Sequence, residues 1–145
     1  MFLRLYEHYG MAEALTPEDV RVYVREQVLG PDSSISVAVA SLGQTPIGLA
    51  TFTVVYPAPA CQGQLFMKDL FVDTAHRGSG AGHALMTFVA RYAVDHNCGR
   101  FDWTTETSNP HAIAFYTRLG AEPVENKVYY RMAGGQLTAL ASSGE

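Results

Sequence analysis

The sequence is short of several things, and each shortage excludes a class of protein. Only two cysteines occur in 145 residues, Cys61 and Cys98. Their separation suits neither a metal-ligand pair nor a redox pair, so there is no disulfide framework to read. They are expected as reduced thiols, the state of cytosolic proteins. No window approaches the roughly 20 apolar residues of a membrane span. The start, Met1-Phe2-Leu3-Arg4-Leu5-Tyr6-Glu7, lacks the apolar core of a signal peptide. A cytoplasmic chain without a membrane partner is the expectation. Basic residues are outnumbered too, 10 Lys and Arg against 14 Asp and Glu, for a formal charge of -4. Sequence-independent binding of nucleic acid needs the opposite balance, so nucleic acid is not an expected partner. No two of the five histidines have a convincing metal-ligand spacing, which predicts no metal.

What is present is ordinary globular composition, 48% hydrophobic and 17% charged, at the length of a single domain spanning residues 1–145. Phe2, Leu5, Tyr6 and Tyr9 mark one face of a helix. Thr16-Pro17-Glu18-Asp19 opens a second: a capping hydroxyl, proline at the first position, acids in the first turn. It should stop at Gly30-Pro31. Residues 35–40 and 47–56 predict a hairpin around Gly43-Gln44-Thr45-Pro46. Residues 65–72 read as a buried strand. A glycine-rich turn follows, then a helix with Ala84, Leu85, Phe88, Val89, Tyr92 and Ala93 on one face. Residues 100–105 predict a strand, Asn109-Pro110 a helix ending at Leu119-Gly120, and residues 128–132 a last strand. Residues 134–145 read as a frayed tail. This order implies an α/β (α+β) fold, a mixed sheet with helices on both faces.

The chemistry-bearing segment runs from Leu65 through Asp73-Thr74-Ala75-His76-Arg77-Gly78-Ser79-Gly80-Ala81-Gly82 directly into a helix. The first amides of a helix lack internal partners, and the helix dipole adds positive charge there, so a strand-to-helix turn of this kind is an anion site. Gly78, Gly80 and Gly82 let the backbone turn tightly and let phosphate oxygens approach it. Arg77 can add a charge-assisted bond. A dinucleotide fingerprint needs glycine at 83, where His83 stands, and the Gly-Lys-Ser/Thr of a P-loop is absent.

The loop resembles the pyrophosphate loop of GNAT acetyltransferases, with Arg77, Gly80 and Gly82 matching the motif. Ala114-Phe115-Tyr116-Thr117-Arg118-Leu119-Gly120-Ala121 resembles that family's second signature, an aromatic pair before a Gly-Ala turn. The resemblance covers about residues 16–132 and is specific from Leu65 to Ala121. It implies an acetyl-CoA-dependent N-acetyltransferase, with a pantetheine cleft where the central strand splays from its neighbour. The acceptor would be an amine of a small molecule or peptide.

By that resemblance Leu70, Phe71 and Val72 line the cleft, and the amide of Phe71 or Val72 stabilises the oxyanion. Arg77, Gly78, Ser79, Gly80, Ala81 and Gly82 cradle the pyrophosphate, and Tyr116 protonates the leaving thiolate. Asn109 is either a cofactor contact or only a helix cap; Tyr116, in isolation a core aromatic, is read as the acid because of its spacing after the phosphate loop. Asp69, Glu106 or an ordered water is the candidate base. The strand at 65–72 resembles the diamine and thialysine acetyltransferase branch, but Lys68 occupies that branch's usual glutamate position. Such a lysine opposes a polycationic acceptor. The family begins with an edge strand, whereas this chain reads as helical from Met1; an exposed sheet edge predicts a homodimer. A non-catalytic acyl-CoA-binding module on the same fold is the second reading.

Overall fold

The computed structural model describes residues 1–11 and 15–144. The chain divides into two compact units, Met1–Thr104 and Thr105–Glu145.

The first unit begins with α1 (Phe2–His8) and α2 (Pro17–Tyr23), the latter continuing as a π-helical stretch over Val24–Val28. Thr16 and Asp19 close a capping box at the start of α2: the Thr16 hydroxyl accepts from the Asp19 amide at 3.1 Å, and the Asp19 carboxylate accepts from the Thr16 amide at 2.8 Å. Then come β1 (Ser36–Leu42), β2 (Thr45–Val55), β3 (Gly63–Val72), α3 (Ala81–Asp95) and β4 (Cys98–Trp103). The sheet order is β1-β2-β3-β4, with β1-β2 and β2-β3 antiparallel and β3-β4 parallel. The α/β fold with a mixed sheet is therefore as expected. α3 is the crossover that a parallel pair requires.

Both faces of the sheet are covered, which is why β2 is buried over six consecutive residues from Ile47 to Phe52 instead of alternating. One face packs on α3: Phe52 meets Tyr92 edge-on at 4.9 Å, and Leu65, Met67, Leu85 and Val89 are buried. The other face packs on α1, where Leu5 closes against Leu49 and Phe71. The two faces are organised by one irregularity. Thr51 pairs with Asp69 and Phe52 with Met67, so Lys68 is an extra residue on β3, a β-bulge. Odd-numbered residues up to Met67 share the face of Phe52; odd-numbered residues from Asp69 share that of Thr51 and Leu49.

The second unit holds α4 (Pro110–Arg118) and α5 (Gly134–Ser142). Two expectations are corrected here. Residues 128–132 form no strand: the unit has none among its described residues, and a lone strand has nowhere to send its backbone hydrogen bonds. Residues 134–142, expected to fray, form α5, whose side chains are exposed throughout. No helix among the described residues is long and apolar enough to cross a membrane.

Candidate active site

β3 carries the site of the first unit. The Asp73 amide donates to the Ile47 carbonyl at 2.9 Å, and the register continues Gly48↔Val72 and Leu49↔Phe71. Amides alternate sides along a strand, so Phe71 and Asp69 direct their backbone groups at β2, while Leu70 and Val72 direct theirs away from it. On that far side β4 pairs with β3 only as far as Met67↔Trp103. β3 runs five residues further with no strand on that side among the described residues. The expected splay is therefore a termination of β4. The amide of Phe71 is turned into the β2 ladder, whereas that of Val72 points to the side where β4 has stopped.

Beyond Val72, Asp73 accepts from the Ala75 amide at 3.4 Å and starts a 3-10 turn, Thr74–His76. Gly78 and Gly80 hold φ of +79° and +87°, a region side chains disfavour; at these two positions glycine is what lets the loop curl onto the helix. Gly80 is the N-cap of α3 and offers no side-chain cap; the Ala81 amide has only a long 3.4 Å contact with the Ser79 hydroxyl. Amides of the first turn are thus left for an external acceptor. Arg77 is exposed and makes no ion pair among the described residues.

α1 fixes the other side of β3. Arg4 pairs with Asp73, and the Tyr9 hydroxyl donates to Asp69 Oδ1 at 3.1 Å. Asp69 Oδ2 accepts a bond from the Thr51 hydroxyl at 2.6 Å, and Lys68 Nζ lies 3.9 Å from Oδ1. The Asp69 side chain is only 14% exposed, whereas that of Lys68 is 71% exposed, as the extra residue of a bulge can be. Tyr6 stands near both Asp69 and Tyr23; burial, then the Tyr23 and Asp69 charges, raise its phenol above its usual range. Tyr6, Tyr9, Tyr23 and Thr51 were not among the residues singled out by sequence. Tyr6 and Tyr9 are visible there as a helical face, but nothing local links them to a carboxylate some sixty positions on.

Glu106, Asn109 and Tyr116 belong to the second unit. Glu106 is exposed, and its carbonyl accepts from the Asn109 amide at 3.0 Å. Asn109 caps α4, its Oδ1 accepting from the Ala112 amide at 3.1 Å. Tyr116 is half-buried against Phe115, with ring centroids 5.3 Å apart, and burial pushes its phenol up, so it holds its proton at neutral pH.

β3 thus outruns β4 and turns through glycines into a helix start with no side-chain cap. The sequence profile of the acetyltransferase (GNAT) family matches residues 2–121, and the chain belongs to that family. It is 32% identical over 80% of its length to an L-ornithine N5-acetyltransferase of Arabidopsis thaliana, covering 47% of that protein. It is 26% identical over 68% of its length to a thialysine N-epsilon-acetyltransferase of Sus scrofa, covering 59% of it. The chain thus spans about half the length of these curated relatives. Among solved structures, an integron cassette protein from the mobile metagenome of V. cholerae superposes with a TM-score of 0.93 at 41% identity, over 98% of this chain and 88% of that one.

The pairing of Asp69 with Thr51 yields the first test. Thr51 is buried, so Thr51→Val keeps the shape while stripping a half-buried carboxylate of its shorter hydrogen bond. We expect a loss of about 1–3 kcal/mol in urea denaturation at neutral pH. A loss under a few tenths would mean that Asp69 does not depend on that bond.

Proposed function

We propose that the chain transfers an acetyl group from acetyl-CoA to a primary amine of a small molecule or peptide, by direct attack within a ternary complex. The observation that carries this reading is the edge of β3. Leu70 and Val72 offer backbone groups where β4 has stopped, and the same strand leads without interruption into the bare start of α3. An extended pantetheine arm would pair with that edge as an added strand. The amides of residues 78–82 and the Arg77 guanidinium would then receive the pyrophosphate. The two units together, residues 1–145, would form one acetyltransferase domain, working in the cytoplasm.

Acetyl-CoA supplies an activated thioester; the chain's residues orient the reactants and manage charge. The amine nitrogen attacks the thioester carbon, a C–N bond forms, the C–S bond breaks, and its electron pair leaves with sulfur. The Val72 amide would donate to the transient oxyanion. The Tyr116 phenol, protonated at neutral pH, would give its proton to the departing thiolate. The proton lost by the amine goes to a carboxylate or an ordered water. Asp69, held by two hydroxyl donors, is better positioned for this than the exposed Glu106. Asn109 serves first as the cap of α4, with a cofactor contact as its second role. The ornithine and thialysine relatives support a small amine as the acceptor.

Three outcomes test this reading. Gly82→Val should weaken acetyl-CoA binding at least about tenfold in calorimetry, about 1.4 kcal/mol, by obstructing the approach to the first amides of α3. Gly80→Val should do so too, adding strain at its positive φ. Unchanged affinity in a folded variant would sink the loop assignment.

Tyr116→Phe should lower turnover about 10²-fold while leaving acetyl-CoA affinity within twofold. Thiol release from acetyl-CoA across a panel of amines is the assay. Binding without release for any amine would favour the non-catalytic module.

We also propose a homodimer. Tyr129 and Tyr130 are 70% and 87% exposed, and such aromatics favour interfaces. Light scattering at micromolar concentration should give twice the 15.8 kDa of one chain; a mass near 15.8 kDa refutes the dimer.

A further inference from the structure

A pocket of about 180 Å³ opens where α1 faces α2, lined by Tyr6, Leu15, Asp19, Val20 and Tyr23. Its walls are overwhelmingly carbon. Val20 is buried, whereas Leu15 and Tyr23 are 43% and 49% exposed, so the pocket has an accessible mouth. Tyr6 stands beside Tyr23, and the carboxylate at the pocket is already engaged. Asp19 Oδ2 accepts from both the amide and the hydroxyl of Thr16, at 2.8 and 2.6 Å. Among the described residues no lysine or arginine lines the pocket to hold a carboxylate or a phosphate. Tyr6, one of its walls, lies three positions before Tyr9, whose hydroxyl donates to Asp69 Oδ1 on β3 at 3.1 Å.

We infer that this pocket takes the hydrocarbon body of the acceptor, and that the substrate class is a primary amine carried on an apolar or aromatic group, with its nitrogen directed at Asp69. The inference rests on the transferase reading and deepens it. Size agrees: an apolar cavity of about 150 Å³ accommodates benzene, so a pocket of about 180 Å³ matches a phenyl ring or a short branched alkyl group. Charge agrees as well. Asp69 and Asp19 favour a single ammonium over an anion, while Lys68 Nζ, 3.9 Å from Asp69, repels a second ammonium near the first. Diamines and amino acids would leave a charged end against carbon, with its desolvation uncompensated.

The test uses the full chain and two probes, 2-phenylethylamine and 1,4-diaminobutane. With acetyl-CoA saturating, kcat/KM should favour 2-phenylethylamine by about tenfold or more, the scale of discrimination an apolar pocket supplies. Tyr23→Ser and Leu15→Ser, both at partly exposed positions, should raise KM for 2-phenylethylamine about tenfold. KM for acetyl-CoA and for 1,4-diaminobutane should stay within twofold. Equal or reversed preference between the amines overturns the inference, as does an unchanged KM in both folded variants. Should neither probe be acetylated, the transferase reading loses support, and calorimetry on the CoA-loaded protein still decides the pocket. Binding of 2-phenylethylamine that is lost in both variants sustains it, and no binding to the parent chain overturns it.

Discussion

The bulge at Lys68 is the feature on which the rest of the first unit depends. Without an extra residue on β3, the alternation that buries Leu65 and Met67 beneath α3 would carry Asp69 and Phe71 to that same side. Leu5 would then find no Phe71 to pack on, and Thr51 and Tyr9 no carboxylate to bind. The bulge re-aims both residues onto the α1 face while leaving Leu65 and Met67 in the core. It also gives a strongly hydrated lysine a place in a central strand, because the inserted side chain projects into solvent. The position that departs from the diamine branch is thus the position of the irregularity itself.

Three contacts between α1 and β3 differ greatly in weight. Leu5, 3% exposed against Leu49 and Phe71, contributes by removing apolar surface from water, about 1.5–3 kcal/mol for a fully buried side chain. The Arg4–Asp73 pair has its arginine more than half exposed, and pairs of that kind contribute at most about 1 kcal/mol. The Tyr9–Asp69 bond acts chiefly by fixing the orientation of a carboxylate. Packing therefore holds α1 in place, and the polar contacts set what it presents. The anchoring of α1 and the setting of Asp69 are thus separate, so Thr51→Val changes the second without dismantling the helix.

Acyl transfer asks an extended arm and a charged pyrophosphate to be held by one protein edge. In the proposed reading β3 would meet both demands with backbone alone. Its last residues offer alternating amides and carbonyls, and the helix that follows offers unpaired amides at its start. Both supplies arise from termination: β4 stops at Trp103, and α3 begins at a glycine with no side-chain cap. Side chains are then left for the acceptor, the role proposed for the tyrosines of α1 and α2 around their pocket.

Much of this was legible in the residues themselves. The glycine loop, the proline-led starts of α2 and α4, the hairpin and the α3 face are local patterns, each set by backbone freedom, capping or periodicity within a few positions. The loop and the aromatic signature together pointed to the family. What failed locally was what depends on partners. Residues 128–132 have strand-like side chains, yet a strand exists only where another offers hydrogen bonds. Residues 134–142 form a helix the composition did not announce. The bulge leaves no mark in the sequence, because one extra residue is defined only against the strand it pairs with. The same holds for the direction of the Val72 amide, for the hydroxyls on Asp69 and for the pocket at Tyr6 and Tyr23. The sequence alone determined the family and the glycine loop, since those are encoded in contiguous residues. Only the tertiary structure decided which face each β3 side chain took and what surrounds Asp69, since register joins residues that lie far apart in the chain.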